Sequence, residues 1–358
     1  MDKVLRTLVV DDSAYVRKVV RQMLGKSPFI DVVGVARDGE EALTLVDQLH
    51  PDVVTIDLIM PGMGGLGFIQ EQMRRKPLPI VVVSIANEAS QLVLDALDAG
   101  AIEFVQKPSA LATERIFEMS DELIEKVKTA GNVMMSAVRL PDPAGPAASK
   151  PQHKPAKKMF PSPVDVIVIG ISTGGPQTLK YLLPSFAGDY RIPIAVVLHM
   201  PVGYTELYAE RLNDACSLAV SEAREGDAIQ PGRILIAPAG RHLTLRRDSS
   251  AAVQAHIDAR PFDTLHRPSV DVLFRSAAET FGGRVLGLVM TGMGDDGKEG
   301  AGEIRAKGGI IIAEAEESCV VFGMPRAVIE ANLANQVVPL ERMFSAIIEV
   351  TNGKDPDR

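Results

Sequence analysis

Short apolar runs alternate with amphipathic segments along most of the chain. In the first third, five runs rich in β-branched residues are separated by segments in which apolar residues recur every three or four positions. The runs are typical of strands and the segments between them of helices. This alternation indicates a parallel sheet covered by helices on both faces. The predicted strands are LRTLVV (5–10), IDVVGVA (30–36), DVVTID (52–57), IVVVS (80–84) and IEFVQ (102–106).

The second half of the chain repeats this alternation with longer apolar runs. Such runs are expected for strands that are buried on both faces, so we predict a doubly wound, mostly parallel α/β domain. Residues 241–260 differ, because apolar and polar residues alternate on either side of a DSS turn, which predicts an antiparallel β-hairpin. The predicted parallel strands are VDVIVIG (164–170), IPIAVVLH (192–199), RILIAP (233–238), RVLGLVMTG (284–292) and GGIIIAE (308–314).

Residues 139–163 interrupt the pattern. Proline, alanine and lysine dominate this segment, and it has no apolar periodicity. A segment of this composition cannot bury enough apolar surface to offset the entropy of ordering it, so we interpret it as a linker. The predicted organisation is a domain over residues 1–130, a linker over 131–163, a second domain over 164–350 and a tail over 351–358.

The composition of the chain argues against some classes of binding partner. The formal net charge is −8, tryptophan is absent and aromatic residues make up 4% of the 358 residues. These values argue against binding nucleic acid through phosphates or stacked bases. No apolar run approaches the ~18–20 residues that would insert into a bilayer, and the first residues do not resemble a signal peptide. Cys216 and Cys319 form no disulfide or metal-binding pattern, so we predict a cytoplasmic protein.

Polar residues follow four of the five strands predicted in the first domain. Asp11 and Asp12 end the first strand, Asp57 the third and Ser84 the fourth, while Lys107 follows the fifth. Ligands of an open α/β sheet bind at the carboxyl ends of its strands, so these side chains should converge. Clustered carboxylates repel one another unless a hard cation such as Mg²⁺ joins them. An aspartate beside that cation can act as a nucleophile toward phosphorus.

Two adjacent aspartates at a strand end are also common in loops that cap helices, so Asp11 and Asp12 alone leave both interpretations open. The joint spacing of all five residues is more specific. Over about residues 4–125 the chain resembles the receiver domain of bacterial response regulators, a (βα)5, flavodoxin-like fold. The resemblance implies that Asp57 accepts a phosphoryl group from a histidine kinase. It also implies that Asp12 and Asp57 hold Mg²⁺, with Asp11 acting through water, and that Ser84, Phe104 and Lys107 sense the phosphoryl group.

The second domain opens on VIVIGISTGGP (166–176), which places Ser172 among glycines. The pattern Gly-x-Ser-x-Gly can mark a nucleophilic serine on a strand-to-helix turn. It is equally typical of a glycine loop that binds phosphate through backbone N–H groups at a helix N-terminus. The segment by itself leaves these alternatives open.

A nucleophilic serine needs a base, and the base needs an orienting acid. His199 ends a buried strand, which would place it at the same sheet edge as Ser172, whereas His242, His256 and His266 lie in or after the predicted hairpin. Another apolar strand runs into LGLVMTGMGDDG (286–297), which carries Asp295 and Asp296. The alternative interpretation of this glycine-rich segment is a flexible turn. Three strand ends that carry serine, histidine and aspartate favour acyl-transfer chemistry.

Five segments across residues 164–350 resemble CheB-type chemotaxis protein-glutamate methylesterases. The resemblance implies that Ser172 is the nucleophile, His199 the general base and Asp296 the orienting acid. It implies oxyanion donors at Met293 and Thr173, and no cofactor at the esterase site. The segments are IGISTGGP, LHMPVGYT, HRPSVDVLFRS, MTGMGDDG and ESCVVFGMPR.

The implied activity is hydrolysis of glutamate γ-methyl esters on chemoreceptors, with release of methanol, together with deamidation of receptor glutamines. We hypothesise that the unphosphorylated receiver blocks the serine site, and that phosphorylation of Asp57 shifts the population toward an open arrangement. Two alternatives remain. The same esterase chemistry would also suit another chemosensory pathway, and a non-enzymatic signalling adaptor would leave Ser172 idle. A DNA-binding regulator is disfavoured by the acidic charge and by the absence of a helix-turn-helix pattern.

Overall fold

The computed structural model describes residues 3–85, 90–107, 115–138, 162–261 and 263–353, with the side chains of 115–118 excluded. The chain divides into two compact units, residues 1–146 and 147–358. Most of the predicted linker and tail lie outside the described residues, so the domain boundaries stay predictions. None of the described helices is long and apolar enough to cross a membrane.

The first unit is a five-stranded parallel sheet with helices between successive strands, as the sequence predicts. Its strand order is β2-β1-β3-β4-β5. The strands are β1 Leu5–Val10, β2 Ile30–Ala36, β3 Val53–Ile56, β4 Ile80–Ile85 and β5 Glu103–Lys107. The helices are α1 Ala14–Leu24, α2 Gly39–Leu49, α3 Gly64–Arg75, α4 Ser90–Asp98 and α5 Arg115–Ala130.

The order of these strands positions the acidic residues. Every residue of β3 is buried, as expected for a central strand of a parallel sheet. β1 lies beside β3, with Val10 opposite Ile56. Asp11 and Asp57 follow these two residues directly, so the order brings their side chains to one edge of the sheet.

The second unit contains a larger parallel sheet and a separate hairpin. The sheet order is β14-β13-β12-β6-β7-β9-β8, and β10 pairs with β11. The strands are β6 Val166–Ile171, β7 Ile194–Leu198, β8 Ala219–Glu222, β9 Arg233–Ile236, β10 His242–Arg247, β11 Val253–Asp258, β12 Val285–Val289, β13 Ile310–Glu314 and β14 Gln336–Val338. The helices are α6 Gly175–Leu182, α7 Thr205–Ala215, α8 Val270–Phe281, α9 Lys298–Ala306, α10 Met324–Glu330 and α11 Leu340–Thr351.

The antiparallel hairpin is confirmed, with Leu243 opposite Ile257. Its apolar face packs on α8, where Leu245 N donates a hydrogen bond to Ser276 Oγ at 3.1 Å. β8 and β14 were not predicted from the sequence. Both are short, and most of their residues are not buried, so they lack the apolar run that identified the central strands.

Candidate active site

Ser172 lies on a tight turn between β6 and α6. Gly175 N donates a hydrogen bond to Ser172 O at 2.7 Å, which closes the turn. Gly174 has a φ of 77°, and a Cβ there would lie 2.6 Å from Val320 Cβ. A larger residue at this position would be strained as well as crowded. The turn therefore places Ser172 just before the N-terminus of α6, where the helix dipole favours negative charge.

The neighbouring strands place Ser172 between two loops. Ile171 is opposite Leu198 in the sheet, and His199 N donates to Ile171 O at 3.1 Å, so Ser172 and His199 leave adjacent strands side by side. On the other side, Ser172 N donates to Thr291 O at 2.9 Å. A Cβ on Gly292 would lie 2.7 Å from Ser172 Cβ. The wall of the site next to the serine is therefore backbone.

Asp296 connects His199 to the start of α8. Its Oδ2 is 2.9 Å from His199 Nε2, and both side chains are 10% exposed. The carboxylate also accepts hydrogen bonds from Ser269 Oγ at 2.9 Å, Val270 N at 2.8 Å and Asp271 N at 3.0 Å. Burial alone would raise the pKa of Asp296, but the hydrogen bonds from His199 and these backbone groups hold it below its usual range. Asp296 therefore remains a charged acceptor.

The contact with Asp296 determines which nitrogen of the neutral His199 ring carries the proton. Because Asp296 is an acceptor, the neutral ring carries its proton on Nε2. Nδ1 is buried and has no hydrogen-bond partner among the described residues. A buried nitrogen with an available lone pair is suited to accept a proton from the serine on the adjacent strand.

His266 stacks on His199, and this contact was not predicted from the sequence. The ring centroids are 4.2 Å apart, and the planes are inclined by 25°. His266 lies in the loop before α8, and its neighbour Ser269 is one of the donors to Asp296. The segment HRPSVDV thus supplies both a stacking ring and a helix start. The only sequence signal for it was its place among the segments that carry the family resemblance.

The residues predicted as oxyanion donors both lie next to Ser172, Thr173 in the sequence and Met293 through the loop that packs against the serine. Thr173 follows the serine directly, and its carbonyl accepts a hydrogen bond from Thr291 Oγ1 at 3.0 Å. Met293 follows Gly292, the residue that lies against Ser172. The structure therefore brings both residues to the serine, while their role stays a prediction.

Glu314 supports this loop from inside the sheet and was missed as a site residue. It ends β13 and is fully buried. Its Oε2 accepts from Thr291 N at 2.9 Å, and its Oε1 accepts from Ser318 Oγ at 2.9 Å. The signal was present in the sequence, since an acid ends an apolar strand here as it does at Asp57.

The structure brings three aspartates and a lysine of the first unit together, while their roles stay predictions. Oxygen atoms of Asp11, Asp12 and Asp57 lie within 4.8 Å of one another. Lys107 Nζ is 2.6 Å from Asp11 Oδ2 and 2.6 Å from Asp57 Oδ2. Burial raises the pKa of Asp11, although the Lys107 ammonium opposes this shift. Three carboxylate oxygens at this separation fit a hard cation. Because Asp12 is exposed to solvent, they also fit a cation that retains water ligands.

Two further predicted residues lie near this cluster. Ser84 Oγ is buried at the end of β4 and has no hydrogen-bond partner among the described residues. Phe104 is buried on β5, and Lys126 Nζ donates to its carbonyl at 2.6 Å while lying 5.5 Å from its ring centroid. Lys126 also pairs with Glu122 at 2.9 Å and Glu103 at 3.5 Å. A buried hydroxyl without a partner is suited to receive an incoming anionic oxygen.

Asp271 gives the second unit a pH-dependent stability. Burial raises its pKa to about 6, and the charges of Asp296 and Glu299 add to the shift, while hydrogen bonds from Gly300 and Gly297 oppose it. In the unfolded chain this carboxyl titrates near the ordinary aspartate pKa of 3.8. The folded state therefore keeps this carboxyl protonated up to a higher pH than the unfolded chain does. The stability that Asp271 contributes is complete below about pH 4 and is lost as the pH rises through about 6.

We expect Asp271→Asn to become more stable relative to the unmodified protein as the pH rises from 4 to 7. The relative gain in free energy of unfolding should be about 1–3 kcal/mol. Urea denaturation followed by far-UV circular dichroism at several pH values measures it. Glu279→Gln, an exposed change of equal charge on the same helix, is the control. A stability difference that stays constant with pH would contradict the prediction.

Comparisons with known proteins identify a family for each unit. Residues 167–347 match the family model of the CheB methylesterase, and residues 7–121 match that of the response regulator receiver domain. The chain is 49% identical to a protein-glutamate methylesterase/protein-glutamine glutaminase of Myxococcus xanthus, over 96% of this chain and 97% of that protein. It is 41% identical to a protein of the same name from Halalkalibacterium halodurans, over 97% and 99%.

A solved structure matches the second unit. It is the CheB methylesterase catalytic domain of Thermotoga maritima, with 39% identity and a TM-score of 0.51, covering 52% of this chain and 98% of that one. The match with relatives extends over nearly the whole chain, and the receiver and the methylesterase domain occur in the predicted order. The chain therefore belongs to the family of CheB methylesterases that carry a response regulator receiver domain.

Proposed function

We propose that the protein is a phosphorylation-regulated serine esterase that hydrolyses glutamate γ-methyl esters on chemoreceptors and deamidates receptor glutamines. In this role it serves the adaptation of chemotaxis in the cytoplasm. The observation that supports the chemistry most strongly is the His199–Asp296 pair beside Ser172, with His199 Nδ1 buried and available. A glycine loop that only binds phosphate has no need of such a pair.

Catalysis begins with proton transfer from Ser172 Oγ to His199 Nδ1. The serine oxygen attacks the carbonyl carbon of the ester and forms a tetrahedral intermediate. Asp296 stabilises the imidazolium through Nε2, since its carboxylate keeps its charge in the buried site. In this mechanism Nε2 of His199 donates to Asp296, and Nδ1 exchanges the proton with Ser172.

The intermediate carries negative charge on the former carbonyl oxygen. Backbone N–H groups of Thr173 and Met293 would donate hydrogen bonds to it, each worth about 3–4 kcal/mol in such sites. The proton on Nδ1 then passes to the leaving methoxy oxygen, and methanol departs. Water, deprotonated by the same nitrogen, attacks the acyl-enzyme, and the proton then passes from Nδ1 to the departing Ser172 Oγ, which yields glutamate and the free serine. A glutamine substrate follows the same path with ammonia as the leaving group.

In the receiver, Asp57 would accept the phosphoryl group from a histidine kinase. Asp12 and Asp57 would hold Mg²⁺, with Asp11 acting through water, and the bound ion would neutralise charge on the phosphoryl oxygens. Lys107, already within 2.6 Å of Asp57, would balance the charge gained on phosphorylation. Ser84 and Phe104 would sense the new group, since the Ser84 hydroxyl is buried without a partner among the described residues. Phosphorylation would shift the population toward the active form.

Ser172→Ala should lower methanol release from methyl-labelled chemoreceptor membranes by at least about 10³-fold, because no nucleophile remains. Ser185→Ala, at a half-buried serine beyond α6, is the matched control and should keep the unmodified rate. Near-normal release by Ser172→Ala would exclude the serine mechanism. Absence of release by every form would favour the signalling adaptor instead.

Asp57→Asn should abolish the increase in methanol release that acetyl phosphate and Mg²⁺ produce, since the phosphoryl acceptor is missing. The quantity to measure is the ratio of rates with and without the phosphodonor. Asp47→Asn, an exposed carboxylate on α2, changes charge equally and should preserve the increase. An undiminished ratio in Asp57→Asn would contradict the assignment of the acceptor.

His266 acts as a positioning residue, because its ring covers one face of His199. His266→Ala should lower kcat about 3–10-fold with little change in KM, the range expected for loss of one ring contact. His266→Phe keeps a ring at this position and should recover most of the rate. Unmodified kcat in His266→Ala would contradict this role.

A further inference from the structure

Three exposed apolar side chains lie in the loops next to Ser172 and His199. Val202 is 68% exposed, Leu265 90% and Met293 41%. In the described part of the second unit, Tyr181 and Val337 are the other large apolar side chains exposed to a similar degree. Three of these five therefore lie in the loops around one site. We call Val202, Leu265 and Met293 the apolar rim.

Backbone contacts connect two members of the rim to the stacked histidines. Val202 lies three residues after His199, and a Cβ on Gly240 would be 3.0 Å from Val202 Cγ2. Gly240 N in turn donates to Arg267 O at 2.9 Å, and Arg267 follows His266. Leu265 precedes the same histidine. Val202 and Leu265 thus lie in different loops, and both loops contact the turn at Gly240.

Met293 lies on the opposite side of the serine. It follows Gly292, whose backbone lies against Ser172, and a Cβ on Gly323 would be 3.1 Å from Met293 Cα. Because β6 lies between β12 and β7 in the sheet, Met293 follows the strand on one side of Ser172 and Val202 follows the strand on the other.

A groove of about 720 Å³ continues from the rim at Val202. Its charged lining residues are three glutamates and two arginines, of which Arg224 pairs with Glu206 at 3.2 Å, and His256 lies 2.9 Å from Glu225. Its remaining lining includes Pro238 and Ala239 at the end of β9. The groove therefore offers little unbalanced charge to attract a strongly ionic ligand.

We infer that the apolar rim binds apolar side chains of the substrate protein on both sides of the esterified glutamate. Clustered exposed apolar residues are typical of interaction sites, and here the cluster is continuous with the reacting serine. A free amino-acid ester is too small to cover the rim. The rim thus selects glutamate esters held in a protein segment with apolar neighbours. This inference rests on the proposed esterase function.

The test compares two substrates with the full-length protein in acetyl phosphate and Mg²⁺. Methyl-labelled chemoreceptor membranes engage the rim, whereas p-nitrophenyl acetate is a small activated ester that does not. Val202→Ser combined with Leu265→Ser should lower kcat/KM for the membranes about tenfold through KM. The same double variant should turn over the small ester within about twofold of the unmodified rate. Val337→Ser, which changes an exposed valine on β14 outside the apolar rim, is the control.

Unmodified kcat/KM for the membranes in the double variant would overturn the inference. Equal losses on both substrates would also overturn it, because the residues would then support the chemistry rather than substrate binding. Failure of the proposed function gives a different result, since the unmodified protein would then release no methanol from the membranes. In that case the rim proposal fails together with the function on which it rests.

Discussion

The candidate active site depends on how the carboxylate of Asp296 is held. It accepts four hydrogen bonds, one from the His199 ring and three from Ser269, Val270 and Asp271 at the start of α8. These donors offset the cost of burying the charge, which would otherwise favour the protonated acid. The same bonds fix where the carboxylate lies, and so they fix which nitrogen of His199 remains for the serine. The position of one helix end thereby sets which ring nitrogen of the proposed base carries the proton.

The two units stabilise their buried carboxylates in different ways. Each gathers carboxylates at the carboxyl ends of parallel strands, where burial disfavours their charge. In the receiver, the compensating group is a cation, Lys107, which contacts both Asp11 and Asp57. In the methylesterase unit, backbone and hydroxyl donors compensate Asp296 and Glu314. A cation suits a site proposed to gain and lose a phosphoryl group, whereas fixed dipoles suit a site whose acid keeps one charge throughout.

The sequence predicted the central strands, the hairpin and the residues that meet at each sheet edge, because all of these follow from apolar runs and from what comes directly after them. It did not predict β8 or β14, whose residues are mostly not buried and whose pairing depends on neighbours distant in sequence. Nor did it indicate which ring nitrogen of His199 faces Asp296, since that depends on the position of α8. The stacking of His266 was missed for the same reason, as loop conformation leaves no periodic signal.

The backbone wall beside Ser172 has an evolutionary consequence. Gly174 and Gly292 are packed so closely against Val320 and Ser172 that side chains there have no room. Substitution can therefore change little in the immediate surroundings of the serine without disturbing the turn itself. Variation has to accumulate in the outer loops, where side chains point into solvent. Relatives of this chain are thus expected to diverge in what they recognise much faster than in the reaction they perform.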